Sequence, residues 1–216
     1  MIIPAAFNGP PGTGNGGYSC GVFAADTAGV AEVTLRMPPP LDVELSAVDG
    51  SVVTAGGDVI ATVRPVPAFP HPGAAVGYAD AVEASRSYPG FADHPFPTCY
   101  VCGPERADGL RIFPGPAAGG VAAPFVAPAS VTPETVWAAL DCPGGWSVIS
   151  PGRPYVLGRM AAVVHALPSP GDECVVTGTC EEVEGRKAAV RTALYSPGGE
   201  LLAHARATWI ALMSPA

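Results

Sequence analysis

Cys99-Tyr100-Val101-Cys102-Gly103 is the sharpest local pattern in the chain. Two cysteines at this spacing can share one metal ion, and His94 upstream could bring a third ligand. A lone C-x-x-C without a second pair does not complete a tetrahedral set. The segment therefore reads first as a packed structural knuckle, with a metal site or a redox pair as the lesser alternatives, and no bound metal or cofactor is expected. Asp141 draws attention for a different reason. It falls near the end of a helical pattern, where the dipole disfavours an acid, and that favours a functional cause for its presence. The plainer alternative is a hydrogen bond to the turn that follows at Gly144. Cys20 and Cys142 have no histidine near them in sequence to lower their pKa, so they read as buried filler. His71, His165 and His204 are isolated and read as surface or strand residues.

The composition narrows the classes of chemistry. The 216 residues suffice for two units of about 100 residues each. An apolar fraction of 48% with 14% charged residues allows a large core. The 27 glycines and 26 prolines fall mostly between periodic segments, as rigid loops would place them. The net charge of −8, with 11 scattered Lys and Arg, argues against nucleic acid as a partner, because phosphate neutralisation supplies most of that affinity. A basic membrane-surface helix is missing for the same reason. No apolar run approaches the roughly 20 residues that span a bilayer. With no signal-like start, the expected location is cytoplasmic, and the six cysteines are expected to be reduced thiols.

The elements that would position these residues come in two similar sets. In the second half, Leu110–Gly115 and Val121–Ala127 read as short strands around the Gly119-Gly120 turn. Thr132-Pro133-Glu134 opens a helix as N-cap, first-turn proline and first-turn acid. That helix runs to about Asp141, with Pro143-Gly144-Gly145 interrupting or ending it. Strands are predicted over Tyr155–His165, Glu173–Val183, Arg186–Tyr195 and Leu201–Leu212. In the first half, a helix over Tyr18–Ala25 precedes strands over Val30–Met37, Leu41–Val48, Ser51–Ala55 and Val59–Val66. Each half is thus one helix followed by four antiparallel strands. The expected organisation is an N-terminal half at 1–70, a helix and crossover at 71–108, and a C-terminal half at 109–216.

A helix followed by an antiparallel meander that wraps it is the plan of the hotdog fold. Asn15-Gly16-Gly17-Tyr18, leading into Cys20-Gly21-Val22-Phe23-Ala24-Ala25, resembles the Gly-Gly start of the central helix in hotdog thioesterases. Ala138-Ala139-Leu140-Asp141 resembles the helix segment that carries the acid in the same superfamily. Together the halves resemble a double-hotdog acyl-CoA thioesterase, an α+β fold with two central helices each wrapped by an antiparallel sheet.

The resemblance implies hydrolysis of an acyl-CoA or acyl-carrier thioester. It makes Gly17 the oxyanion donor, Asp141 the base or nucleophile and Asn15 a polar partner, with Gly16 allowing close backbone approach. Trp137, one turn before Asp141, would line the acyl pocket and raise the pKa of the acid by desolvation. Tyr18 and Trp146 would add to the substrate pocket. Gly16-Gly17 could equally serve close helix–sheet packing. A second register matches Asn15–Ser19 to Pro143–Ser147 and would weaken the role of Asp141. Because Ala24 stands where the first helix would need its own acid, one composite site per chain follows. The competing functions are a non-catalytic acyl-thioester-binding or scaffold protein, and a hotdog dehydratase, which would want a histidine on a central helix. Sheet edges could pair a second copy into a homodimer.

Overall fold

The computed structural model describes residues 1–71 and 73–212. Its first helix, α1 (Gly16–Ala24), starts at Asn15, whose Oδ1 accepts from the Tyr18 N–H at 2.9 Å. Four strands follow: β1 (Val30–Leu35), β2 (Leu45–Val48), β3 (Ser51–Thr54) and β4 (Val59–Val66). A short helix, α2 (Tyr78–Ser85), and an irregular crossover lead to β5 (Gly115–Ala117) and β6 (Gly120–Val126). Helix α3 (Pro133–Trp146) comes next, then β7 (Tyr155–Val164), β8 (Glu173–Glu184), β9 (Lys187–Tyr195) and β10 (Leu201–Ala211).

All ten strands join one antiparallel sheet, in the order β2-β3-β4-β1-β7-β10-β9-β8-β6-β5. Both sets obey one rule. The strand after each helix lies beside the last strand of its own set, β1 beside β4 and β7 beside β10. The sets meet where β1 pairs with β7, at Glu32–Ala161, Val33–Met160 and Thr34–Arg159. Glu32 is buried at this seam, within 3.8 Å of Arg159 and 3.5 Å of Arg206, and Arg64 Nε donates to it at 3.0 Å. Helix α3 packs against β6–β10, and α1 lies against β1, β4 and β7 and packs on α3. This is the α+β hotdog architecture. In the second set β6 precedes the helix and pairs with β8. In the first set residues Met1–Ile3 lie alongside Leu45 and Asp42, with Leu45 N–H donating to Met1 O at 2.8 Å and Asp42 N–H to Ile3 O at 2.9 Å. Among the described residues no helix is long and apolar enough to cross a membrane.

Three elements differ from the sequence reading, each for a local reason. Helix α3 does not stop at Asp141 but runs through Pro143, Gly144 and Gly145 to Trp146. The missing N–H of Pro143 costs one helical bond, yet this whole last turn is buried, and its glycines let it press on the sheet. A Cβ on Gly145 would stand 2.5 Å from the Trp209 ring, and one on Gly144 2.8 Å from Val190. Leu110–Pro114 is not a strand: Arg111 takes a left-handed φ of 54°, while the Leu110 and Ile112 N–H groups donate to Tyr100 and Val101 carbonyls. Asp42 likewise has a φ of 54°, so β2 begins only at Leu45.

Across the other face of β9 and β10, segment 69–71 covers a cluster of histidines. His204 on β10 is 3% exposed, with the rings of His71, His165 and Phe69 at 5.6, 5.5 and 5.1 Å. His71 Nε2 lies 2.7 Å from the Tyr195 hydroxyl. Burial, then the neighbouring His71, His165 and Arg191, push the His204 pKa down to about 4. Above the ordinary histidine pKa of about 6.5 both folded and unfolded states are neutral here. As pH falls from there towards 4 the unfolded chain takes up a proton that folded His204 refuses, so stability is lost across that window. We expect this group to remove on the order of 2 kcal/mol between neutral pH and pH 4. His204→Leu should show a smaller acid-side drop in melting temperature than the wild type; equal drops would mean that His204 titrates like a free histidine.

Candidate functional site

The N-terminus of α1 meets the last turns of α3 at a crossing of backbone on side-chain base. A Cβ added to Gly17 would lie 2.4 Å from Asp141 Cβ and 2.6 Å from the Trp137 carbonyl oxygen. One turn on, a Cβ on Gly21 would lie 2.9 Å from Glu134 Cα. Only glycine lets the helices approach this closely. The approach aims the Gly17 N–H at Asp141 Oδ2, at 2.9 Å, and Asn15 Nδ2 donates to the same oxygen at 3.1 Å. Asn15 thus caps α1 with its oxygen and holds the acid with its nitrogen.

Asp141 is 3% exposed, and its Oδ1 has no partner among the described residues. Burial pushes its pKa up to about 7; the Gly17 N–H and Asn15 pull it down, and charge on Cys99 pushes it further up. A carboxyl in that range divides between acid and base near neutral pH.

Asp141, Asn15 and Gly16 line a cavity of about 480 Å³. Its walls are mostly apolar, with Trp146, Tyr155, Leu157 and Trp209 among them. The Trp209 indole N–H is buried and, like Asp141 Oδ1, has no partner among the described residues. The Gly16 N–H, first in the helix, donates no hydrogen bond among the described residues. Gly16, with its backbone N–H at a helix start, and Asp141, with Oδ1, thus both belong to the wall and carry polar groups without a partner among the described residues.

Of the residues singled out by sequence, Asn15, Gly16, Asp141 and Trp146 come to the cavity wall. Gly17 touches Asp141 from behind, and its N–H is taken up by the carboxylate. Tyr18 and Trp137 are not on the wall. The Tyr18 ring stacks on Phe7 at 3.8 Å, and Trp137 is buried with its Cβ against Gly21. Two arginines, Arg36 and Arg186, also line the cavity. Both lie beside strand ends, and nothing in their sequence neighbourhood distinguishes them from the other arginines.

Sequence reasoning also missed the company of Cys142. Its sulfur lies with those of Cys99 and Cys102, all three on the cavity wall, with His94 beside them. Hydrogen bonds from Cys102 and Cys142 push the Cys99 thiol well below the ordinary range. Burial raises Cys102, and the same sulfur contacts raise Cys142.

No protein-family model matches the sequence, and no curated protein matches it. Solved structures similar to it include the E. coli PaaI protein from the phenylacetic acid degradation operon, with 12% identity over 44% of this chain and 75% of that one, at a TM-score of 0.42. A hypothetical thioesterase from Streptococcus pneumoniae TIGR4, solved with coenzyme A, is 14% identical over 45% of this chain and 85% of that one, at a TM-score of 0.42. Protein RHA08564, of the thioesterase superfamily, is 17% identical over 53% of this chain and 61% of that one, at a TM-score of 0.48. The likeness at these identities is one of fold.

The helix crossing leads to a direct test. Gly17→Ala places a methyl group where backbone and the base of Asp141 already stand, and neither can rotate away. We expect a loss of about 3 kcal/mol in urea unfolding. A neutral result would mean that the helices lie further apart.

Proposed function

We propose that this protein is an acyl-thioester hydrolase built as a double hotdog, with halves at 1–70 and 109–216 joined by the crossover 71–108. One observation carries the reading. Gly16, whose N–H donates no hydrogen bond among the described residues, and Asp141, whose Oδ1 has no partner among them, line the same largely apolar cavity. An acyl chain suits the apolar walls, and a thioester carbonyl suits the helix start.

In this mechanism the Gly16 N–H, backed by the positive end of α1, receives the carbonyl oxygen as it becomes an oxyanion. Gly17 and Asn15 act behind it as positioning residues. Their two donors fix Asp141 Oδ2 and leave Oδ1 directed to the reaction. Asp141 takes a proton from water while the water oxygen attacks the carbonyl carbon. The C–S bond then breaks, the acyl group leaves as a carboxylic acid, and the thiolate takes the proton back. Arg36 and Arg186 are the cations on the wall best suited to the phosphates of a CoA carrier.

The test is thiol release from a panel of short, long and aromatic acyl-CoAs, with Asp141→Asn beside the wild type. The isosteric amide keeps an oxygen for the Gly17 N–H, so the variant should stay folded and lose about 10²–10⁴-fold in kcat. Turnover that persists in the variant would remove Asp141 from the chemistry. No turnover by folded wild type would point to a binding role for the cavity.

A further inference from the structure

The chain brings together three thiols that the hydrolytic reading leaves unused. The sulfurs of Cys99, Cys102 and Cys142 all lie within 4.8 Å of one another, and all three residues are buried and unbridged. Cys99 and Cys142 sulfurs are 3.9 Å apart. Ligands at about 2.3 Å from a tetrahedral ion stand roughly 3.8 Å from each other. Three thiols also cannot all be consumed by disulfide formation, since one is left over.

The backbone is shaped to gather them. Cys99 and Cys102 sit in a tight turn in which the Gly103 N–H donates to Cys99 O at 2.9 Å. A Cβ on Gly103 would lie 2.5 Å from both Cys99 N and Pro97 O, so the turn closes only around glycine. Cys142 arrives from α3, a separate element more than a strand pair away in sequence.

The surrounding polar groups favour thiolates. Asn15 Nδ2 is 3.9 Å from both Cys99 and Cys142 sulfurs. His94 Nε2 is 3.4 Å from Cys102 Sγ. His94 Nδ1 accepts from the Phe96 N–H at 2.8 Å, which leaves the ring proton of neutral His94 on Nε2. His94 is therefore a donor, shared between Cys102 Sγ and the Cys102 carbonyl oxygen at 3.2 Å, rather than a ligand. Donors of this kind around sulfur ligands are what stabilise and orient a metal thiolate set.

We propose that Cys99, Cys102 and Cys142 bind one thiophilic divalent cation of the zinc class through three thiolates, with water in a fourth position turned towards the cavity. Binding releases three thiol protons to solvent and leaves a complex of charge −1, which the Asn15 and His94 donors offset. The ion would tie the crossover turn to α3 and form part of the cavity wall. This proposal does not depend on thioester hydrolysis.

The test uses the full chain, reduced and stripped of metal, titrated with cobalt(II) and then zinc(II). We expect a thiolate-to-cobalt charge-transfer band that saturates at one equivalent per chain and disappears as zinc displaces cobalt. Cys142→Ser should weaken cobalt binding at least tenfold, whereas Cys180→Ser, away from the cluster, should leave it unchanged. If Cys142→Ser does not fold, the wild-type titration decides alone. No band with all six thiols reduced, or a band that survives in folded Cys142→Ser, overturns the proposal. Cobalt binding by a chain that hydrolyses no thioester would support this site while sinking the hydrolytic one.

Discussion

Helix α1 rests on α3 with glycine backbone against the base of Asp141, closer than side chains on both helices would allow. Most of the site depends on that contact. It brings two N–H donors of different origin, Gly17 and the Asn15 amide, onto one oxygen of a carboxylate that has lost its water. Burial still outweighs both donors, and the acid remains near 7 rather than in the ordinary carboxylate range. The contact therefore works in two directions: it holds the carboxylate in place and keeps it basic. With separated helices, Asp141 would gain solvent and lose both its orientation and its raised pKa.

Much of this architecture was legible in the sequence because it rests on local patterns. The turns at Asp49-Gly50, Glu184-Gly185 and Pro197-Gly198-Gly199 mark the hairpins that pair β2 with β3, β8 with β9 and β9 with β10. The Thr132 cap marks the start of α3, whereas α1 begins at Gly16, two residues before the expected Tyr18, because the Asn15 side chain caps it. What failed was decided by distant packing. Pro143-Gly144-Gly145 has the local chemistry of a helix end, yet Trp209 and Val190 accept it as a buried last turn. Leu110–Pro114 has the composition of a strand, yet its backbone bonds to the crossover turn.

The candidate site was legible to a similar degree. That Asn15, Gly17 and Asp141 share a site was implied by the family resemblance of their two helix segments, whereas the capture of the Gly17 N–H by the Asp141 carboxylate was not. Tyr18 and Trp137 share those helices, but the direction of each side chain is set by the crossing. Tyr18 turns out to Phe7, and Trp137 fills the space beside Gly21. The third cysteine lay beyond sequence reasoning for the same reason. Cys142 stands next to Asp141 in the chain, but only the fold carries the Cys99–Cys102 turn to it.

The two helix starts explain why a chain with two similar sets of elements would carry one such site. At α3 the first residue is Pro133, which has no N–H to offer. The Thr135 N–H is taken by the Thr132 hydroxyl at 3.3 Å, and the Val136 N–H by the Thr132 carbonyl at 3.2 Å. The Glu134 N–H donates no hydrogen bond among the described residues, but Glu134 does not line the cavity. At α1 the cap satisfies Tyr18 and the acid takes Gly17, which leaves Gly16 open on the cavity. The acid is distributed in the opposite sense, with Asp141 on α3 and buried Ala24 near the end of α1. An open helix start and a buried acid thus come from different halves, and they meet only because the α1–α3 crossing is lined by glycine. The repeat supplies the scaffold twice, while the departures from it bring the open helix start and the buried acid to one end of the crossing.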